Sequence, residues 1–504
     1  MNNDKLKFET TNLTAENLKK LSELFPGVVA EGKVNVDLLR SYVGEEIFKD
    51  EAYEFTWVGK RAAIAEAGRP IRKTLRPVVE NETTPTGADS TGKPYCSSGS
   101  RNWDTTENLY IEGDNLDVLK LLQESYLGKV KMIYIDPPYN TGHDFIYNDS
   151  FRSDDEEYNE QIEMFDDDGN KQFRENTASN PRMHSDWCSM IYPRLVLGRN
   201  LLRDDGVVFI SIDDNEVENL KKICDEVFGA SNFIAQLPYI KRVSPANDSK
   251  WYSGDHEYIV VYGRNKLNWH PKRTQRTEEH DQYYKNPDND PRGPWNSAAY
   301  TCNKSRSERP NLYYAVTNPN TGEEIYPNEN AVWAYSHETH LENVKNNLLY
   351  WGADGKSKSP RKKKFLSEAE PVVPRSYWHY SEVGSTQTAT TDLRELFNGA
   401  SFPYPKPVKL LHKMVYQATD SGDLILDFFS GSATTAHAVM QLNAEDGGKR
   451  KFIMVQLPEV CAEGTEAAKA GYKNICEIGK ERIRRAGDKI KAEIENANAQ
   501  QKIG

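Results

Sequence analysis

Cysteine is scarce and unpatterned in this chain. The six in 504 residues, Cys96, Cys188, Cys224, Cys302, Cys461 and Cys476, form no CxxC or CxxH spacing. That excludes the common zinc modules and a disulfide-stapled scaffold, and the six read as reduced, mostly buried thiols of a cytoplasmic protein. No apolar run approaches the ~20 residues that cross a bilayer. The opening Met1-Asn2-Asn3-Asp4-Lys5 has no signal-peptide core. Cations are outnumbered, and a net charge of −12 argues against indiscriminate nucleic-acid binding. What is present, 37% apolar and 28% charged residues, is the composition of a globular chain long enough for two to four domains.

The most informative stretch is Asp136-Pro137-Pro138-Tyr139, which follows the apolar run Val130-Lys131-Met132-Ile133-Tyr134-Ile135. Proline has no N–H and a fixed φ, so the Pro137 carbonyl is left to accept a hydrogen bond. Asp136 adds a second acceptor and Tyr139 a face for stacking. An exocyclic amino group on a nucleobase fits that trio. Asp-Pro-Pro is also ordinary turn chemistry, and the tetrapeptide alone does not choose between the two.

A second site follows much later in the chain. Leu424-Ile425-Leu426 reads as a buried strand, Asp427-Phe428-Phe429-Ser430-Gly431-Ser432-Ala433-Thr434-Thr435 as a small-residue loop, and Ala436-His437-Ala438-Val439-Met440 as a helix start. Strand, loop and helix form the first half of a nucleotide-binding α/β unit. The loop has neither Gly-Lys-Ser/Thr nor GxGxxG. It therefore suits a ligand with adenosine and no phosphates, such as S-adenosylmethionine, or else is a plain strand-to-helix turn.

The two sites together resemble the amino-group DNA methyltransferases of the permuted class, in which the catalytic motif precedes the cofactor loop. Asp136-Pro137-Pro138-Tyr139-Asn140-Thr141-Gly142 with Asp144-Phe145 is similar to the modification subunits of type III restriction–modification systems. So are Gly206-Val207-Val208-Phe209-Ile210-Ser211-Ile212-Asp213-Asp214 and Asp255-His256-Glu257-Tyr258. The segments that carry the resemblance span about 105–265 and 375–490. Ala433 stands where that family usually has glycine, and its methyl limits how closely the backbone approaches a cofactor. No Pro-Cys dipeptide occurs, so the nucleophile expected for carbon methylation of cytosine is missing.

The fold class expected is α/β: a doubly wound, mostly parallel Rossmann-like sheet with an inserted domain and a helical N-terminal region. Residues 1–100 read as helices and a linker, with Thr14 as a helix cap and 81–100 as a Thr/Ser/Gly/Pro-rich loop. Residues 101–263 carry the catalytic half, with a polar insertion at 144–182, a helix over 187–202, a strand over 207–212, a helix over 216–228 and a closing strand over 258–262. Residues 264–385 break the strand–helix rhythm and hold Trp269, Trp295, Trp333, Trp351 and Trp378. The resemblance puts the target-recognition domain there, although most of those rings must also build a core. Residues 386–504 carry the cofactor half and a tail helix with Ile475, Ile478, Ile483, Ala486, Ile490 and Ile494 at helical spacing.

Charge is uneven. Between 351 and 380, seven cations (Lys356, Lys358, Arg361, Lys362, Lys363, Lys364 and Arg375) face three acids (Asp354, Glu368 and Glu370), a surplus of four, while 154–168 is strongly acidic. The run Arg361-Lys362-Lys363-Lys364 reads either as a DNA contact or as a solvated surface run.

Ligands of open α/β sheets bind beyond the carboxyl ends of the strands, where Asp114, Asp136, Asp427 and Glu459 all fall. The resemblance implies that Phe428, Phe429, Gly431 and Thr434 shape the S-adenosylmethionine site with Asp427. It further implies that Asp114 faces the adenine, Lys406 reaches the methionine part and Glu459 takes the ribose hydroxyls. Asp114 reads equally as a helix N-cap, and Gln456 holds the strand-end position where relatives place their acid. A base inside a duplex must be rotated out to be reached. Asp136 and the Pro137 carbonyl would then grip its amine while Tyr139 stacks on the ring, with no metal required. Aspartate as the first motif residue goes mostly with adenine N6 in that family, serine with cytosine N4. A solitary DNA methyltransferase, an N4-cytosine enzyme, an RNA methyltransferase and a recognition module remain the alternatives. Partners implied are double-stranded DNA, a helicase–nuclease restriction subunit and a second copy of the chain.

Overall fold

The structure, a computed structural model, describes residues 10, 12–30, 32–43, 54–78, 100, 105–142, 145–147, 164–165, 171–177, 179–246, 249–274, 276–399 and 405–501. Cys96, Asp144, most of 81–100, most of 154–168 and 402–404 lie outside them. The chain divides into a unit of residues 1–272 with 375–504, and a second unit of 273–374.

Eight strands build the larger unit: β1 (Leu109–Glu112), β2 (Val130–Ile135), β3 (Leu202–Ile212), β4 (Phe233–Ile240), β5 (His256–Gly263), β6 (Trp378–His379), β7 (Leu424–Asp427) and β8 (Lys451–Gln456). Their order across the sheet is β6-β4-β5-β3-β2-β7-β8-β1. Only β5 runs against its neighbours; the other pairings are parallel. Every residue of β2 is buried, as a strand covered on both faces requires. Its one charge, Lys131, reaches the Asp205 carboxylate at 2.8 Å.

Helices cover both faces. Leu119, Leu122, Trp187, Ile191, Leu195 and Leu220 pack on one face of the sheet, Leu410, Leu411, Met414, Val415, Val439 and Leu442 on the other. The N-terminal segment joins the first layer: Ala63 enters that core, and the Trp57 indole donates to Ser189 Oγ at 2.9 Å. Its first helix, Leu13–Leu24, is capped by Asn12, which accepts from Ala15 N–H at 3.0 Å. Thr14 lies inside that helix and is not the cap.

Other elements depart from the sequence reading. β4 and β6 were not expected. The helix after β3 is Val217–Cys224 with a π-turn at Asp225–Gly229. Trp269 and Trp378 belong to the core of the larger unit, so the compact inserted unit is narrower at both ends than 264–385. The five cysteines among the described residues are free thiols, and no described helix is long and apolar enough to cross a membrane.

Within the 273–374 unit, Trp295–Ala299, Arg361–Phe365 and Leu349–Tyr350 form an antiparallel sheet, and Tyr300, Val316, Ile325, Trp333 and Trp351 fill a core beside it. The basic run lies on the central strand and alternates. Arg361 and Lys364 are exposed and Lys362 is half-buried, its ammonium 4.7 Å from the Tyr335 ring centroid. Lys363 points inward, 2.5 Å from Asp288 and 2.8 Å from Asp290. Its placement corrects the sequence reading: a buried ammonium committed to two carboxylates is not available to a phosphate. Lys363→Met leaves those carboxylates without their common cation and is expected to destabilise this unit by roughly 3 kcal/mol, while Lys364→Ala changes its melting by less than about 0.5 kcal/mol. Thermal melting of the two variants checks the pair.

Candidate active site

The carboxyl ends of β2 and β7 are adjacent because the strands pair directly, Ile425 with Met132 and Leu426 with Ile133. That pairing brings Asp136 and Asp427, far apart in sequence, to one edge, where the Asp136 charge adds to the upward push on Asp427. The two loops share a crevice edge.

On the β2 side, Pro137 is buried and Asp136, Pro138 and Tyr139 are partly so. The Tyr139 hydroxyl donates to Asp136 Oδ1 at 3.0 Å. The Trp187 indole donates to the Pro138 carbonyl at 2.7 Å, whereas among the described residues nothing donates to the Pro137 carbonyl. Asn140 follows with φ of 61°, a left-handed conformation that asparagine tolerates better than most residues. It is held there by Glu216 Oε1 at 2.5 Å and by the Met183 carbonyl at 3.2 Å. Glu216 also receives His184 Nδ1 at 2.6 Å. The motif is clamped from behind and leaves its two acceptors at the crevice.

Lys406 enters this site from after the insert. Its ammonium lies 3.2 Å from Asp136 Oδ1 and 2.6 Å from both Glu257 Oε1 and the Tyr139 hydroxyl. Glu257 is held on its other oxygen by Lys241 at 2.9 Å. Burial pushes the Asp136 carboxyl up; Lys406 opposes this and the Glu257 charge adds to it, leaving a net rise. Burial also pushes Glu257 up, but Lys406 and Lys241 outweigh it and hold the carboxyl below its ordinary range. For Lys406 burial favours the neutral amine, and the two carboxylates overturn that. Tyr139 is driven well above the usual phenol value by burial and then by the Asp136 and Glu257 charges. Glu257 and Lys241 were missed from the sequence. The quoted Asp255-His256-Glu257-Tyr258 carried the acid, yet nothing in it signals a lysine 149 residues away.

On the β7 side, Asp427 folds back on its own loop. It accepts the Phe429 N–H at 3.1 Å and the Thr435 hydroxyl at 2.6 Å. Gly431, with φ of 50°, gives its N–H to Gln456 Oε1 at 2.7 Å. Gln456 thus braces the loop. Ala433 is left-handed at φ 60° and fully buried, a conformation glycine takes at lower cost by ~1–2 kcal/mol. Glu459 is half-buried beyond the tip of β8, and no cation pairs with it among the described residues. Burial raises its carboxyl to about 7.

Four residues assigned to the cofactor from sequence also have structural roles here. The Phe428 and Phe429 rings are both core residues, and Phe428 offers the crevice only its backbone. Its carbonyl already accepts Asn115 Nδ2 at 2.8 Å. The Thr434 hydroxyl accepts from the buried Arg482 at 2.6 Å, as Ser432 does at 2.7 Å, so the tail helix supports the loop through Thr434 and Ser432. Asp114 caps the helix Asn115–Tyr126, accepting from Leu116 and Asp117 N–H at 2.9 and 3.1 Å. Its second oxygen sits 3.5 Å from the buried Arg194. Among the described residues no group of three metal-ligating side chains occurs.

Burial raises the Asp427 carboxyl to about 7, so between about pH 4 and 7 the folded chain retains a proton that the unfolded chain releases. Stability therefore falls as pH rises through that window. The expected outcome is that Asp427→Asn flattens the pH dependence of the melting temperature, gaining most over the wild type near pH 8. Melting curves recorded from pH 5 to 8 without added ligand measure it.

Residues 130–486 match the family model described as DNA methylase, covering N6 and N4 enzymes. The StyLTI Mod subunit of Salmonella typhimurium, of a type III restriction–modification enzyme, is 37% identical over 87% of this chain and 64% of its own length. The EcoPI Mod subunit of Escherichia phage P1 is 35% identical over 89% of this chain and 70% of its own. The type II methyltransferase M.KpnI of Klebsiella pneumoniae is 29% identical over 76% of this chain and 88% of its own. The chain thus spans about two thirds of the length of those type III relatives. With the motif loop, the cofactor-type loop and the sheet between them in place, the chain belongs to the N6/N4 DNA methylase family and, within it, to the type III modification subunits.

Proposed function

We propose that this chain is the modification and specificity subunit of a type III restriction–modification system, and that it transfers a methyl group from S-adenosylmethionine to the N6 amino group of an adenine rotated out of duplex DNA. The observation that carries this reading is the Pro137 carbonyl, without a donor among the described residues, beside Asp136 and the Tyr139 ring and next to a strand-end loop without phosphate-binding features. The donor loop fits an adenosine ligand: Glu459 offers a half-buried carboxyl with no cation partner among the described residues, suited to ribose hydroxyls. S-adenosylmethionine, when bound, supplies an electrophilic sulfonium methyl.

The chain's own residues do the rest. Asp136 and the Pro137 carbonyl accept the two amine hydrogens, which draws the nitrogen lone pair out of conjugation with the ring. Tyr139 stacks on the base and offsets part of the few kcal/mol of unstacking. Lys406 keeps Asp136 ionised, and Glu257 keeps Lys406 in place. Transfer is then in-line, governed by position and charge. Aspartate at the head of the motif favours adenine N6 over cytosine N4.

By the same reading the partners are duplex DNA, a restriction subunit bearing helicase and nuclease activity, and a second copy of this chain, all in the cytoplasm. A second reading is a type II methyltransferase like M.KpnI, 88% of whose length this chain spans.

Asp136→Ala is expected to abolish methyl transfer to unmethylated plasmid DNA while folding and binding of S-adenosylmethionine persist. Retained transfer by that variant would refute the catalytic assignment. Lys406→Met removes the charge that holds Asp136 ionised. The acid limb of the single-turnover rate should therefore move to higher pH, with activity partly restored as pH is raised. An unmoved limb would sink that role.

A further inference from the structure

The segment 241–255 joins β4 to β5 and leaves the sheet at the catalytic edge. β2 runs parallel to β3, Ile135 beside Ile210. β5 opposes β3, Tyr258 beside Ile212, and β4 opposes β5, Ile240 beside His256. Ile240, His256 and Ile135 therefore lie at the same end of their strands.

The base of the loop is fixed. Lys241 and Arg242 N–H both donate to the Asp255 carbonyl, at 2.9 and 3.3 Å. Ser253 Oγ accepts the Ala246 N–H at 2.7 Å and donates to the Asp255 carboxylate. The Lys241 ammonium grips Glu257, the residue that holds Lys406. The far end is different. Trp251 is 83% exposed and its neighbour Tyr252 97%, with the Lys250 ammonium 5.4 Å from the Trp251 ring centroid. Arg242 and Lys250 are exposed, and among the described residues no carboxylate pairs with either.

Two adjacent large aromatics in water, flanked by cations that no described carboxylate pairs with and rooted through the carboxylate that holds Lys406, match one kind of partner. A duplex with a nucleotide rotated out presents a gap in its stack, an orphan base with an open π-face and phosphates on both sides. Apolar and aromatic wedges fill such gaps, and base–aromatic stacking is tolerant of sequence. We propose that the 241–255 loop is a duplex-gripping element, with Trp251 and Tyr252 stacking in the gap left by the rotated-out nucleotide and Arg242 and Lys250 neutralising the flanking phosphates. This rests on the reading of the chain as a transferase acting on duplex DNA.

The test uses the full chain, unmethylated plasmid DNA and, once the methylated site has been mapped, a short duplex with 2-aminopurine at the target position. The Trp251→Ala/Tyr252→Ala variant should lose roughly tenfold or more in single-turnover rate and in the 2-aminopurine fluorescence rise, with binding of S-adenosylmethionine and melting unchanged. Arg242→Ala with Lys250→Ala should reduce the slope of log affinity against log salt by about two, roughly 0.9 for each phosphate that is no longer neutralised. Wild-type rate, fluorescence and salt slope in these variants would overturn the proposal. So would an aromatic-to-alanine change that alters the protein's own sedimentation while leaving DNA affinity intact, since the rings would then cover a second copy of the chain. A wild-type chain that methylates no DNA would instead sink the transferase reading, and the affinity and salt measurements would still judge the loop.

Discussion

One ammonium group holds the catalytic edge together. Lys406 reaches Asp136 at the end of β2, Glu257 at the start of β5 and the Tyr139 hydroxyl, so three segments scattered along the chain meet on a single charge. A buried and a partly buried carboxylate could not sit so close without it, because desolvation and mutual repulsion would drive one to take up a proton. A neutral Asp136 would be a poor acceptor for an amine. The same ion pair thus supports the fold locally and opposes the protonation of Asp136 on which the proposed reaction depends.

The sheet makes that meeting possible. β2 and β7 belong to different halves of the chain yet pair side by side, and helices on both faces bury nearly all of each strand. The 273–374 unit has its own core and lies in the chain between β5 and β6. An insertion there leaves the pairing of β2 with β7 untouched. A unit inserted there can therefore diversify while the paired strand ends stay as they are.

The parts legible in sequence were those where chemistry and position coincide. An acid at the end of a mostly apolar strand marks Asp136 and Asp427 as strand-end residues, and the small-residue loop after β7 announces a strand-to-helix turn. What stayed hidden depended on long-range geometry. Nothing in the sequence signals that Glu257 and Arg482 are buried among partners; only the fold supplies those partners. The basic run at 361–364 looks uniform, and only the strand's two-residue period sends Lys363 inward against Asp288 and Asp290. β4 carries Pro238 and Gln236, and β6 has two residues; neither has the apolar run that signals a central strand.

The buried guanidinium of Arg482 gives the tail helix a second duty. By binding Ser432 and Thr434 it fastens the donor loop to the Ile475–Gln501 helix, whose last three turns are exposed. Trimming or fusing cargo to those final turns spares the clasp. A deletion that reaches back past residue 482 unbuckles the loop from a distance, without removing any residue that faces the crevice.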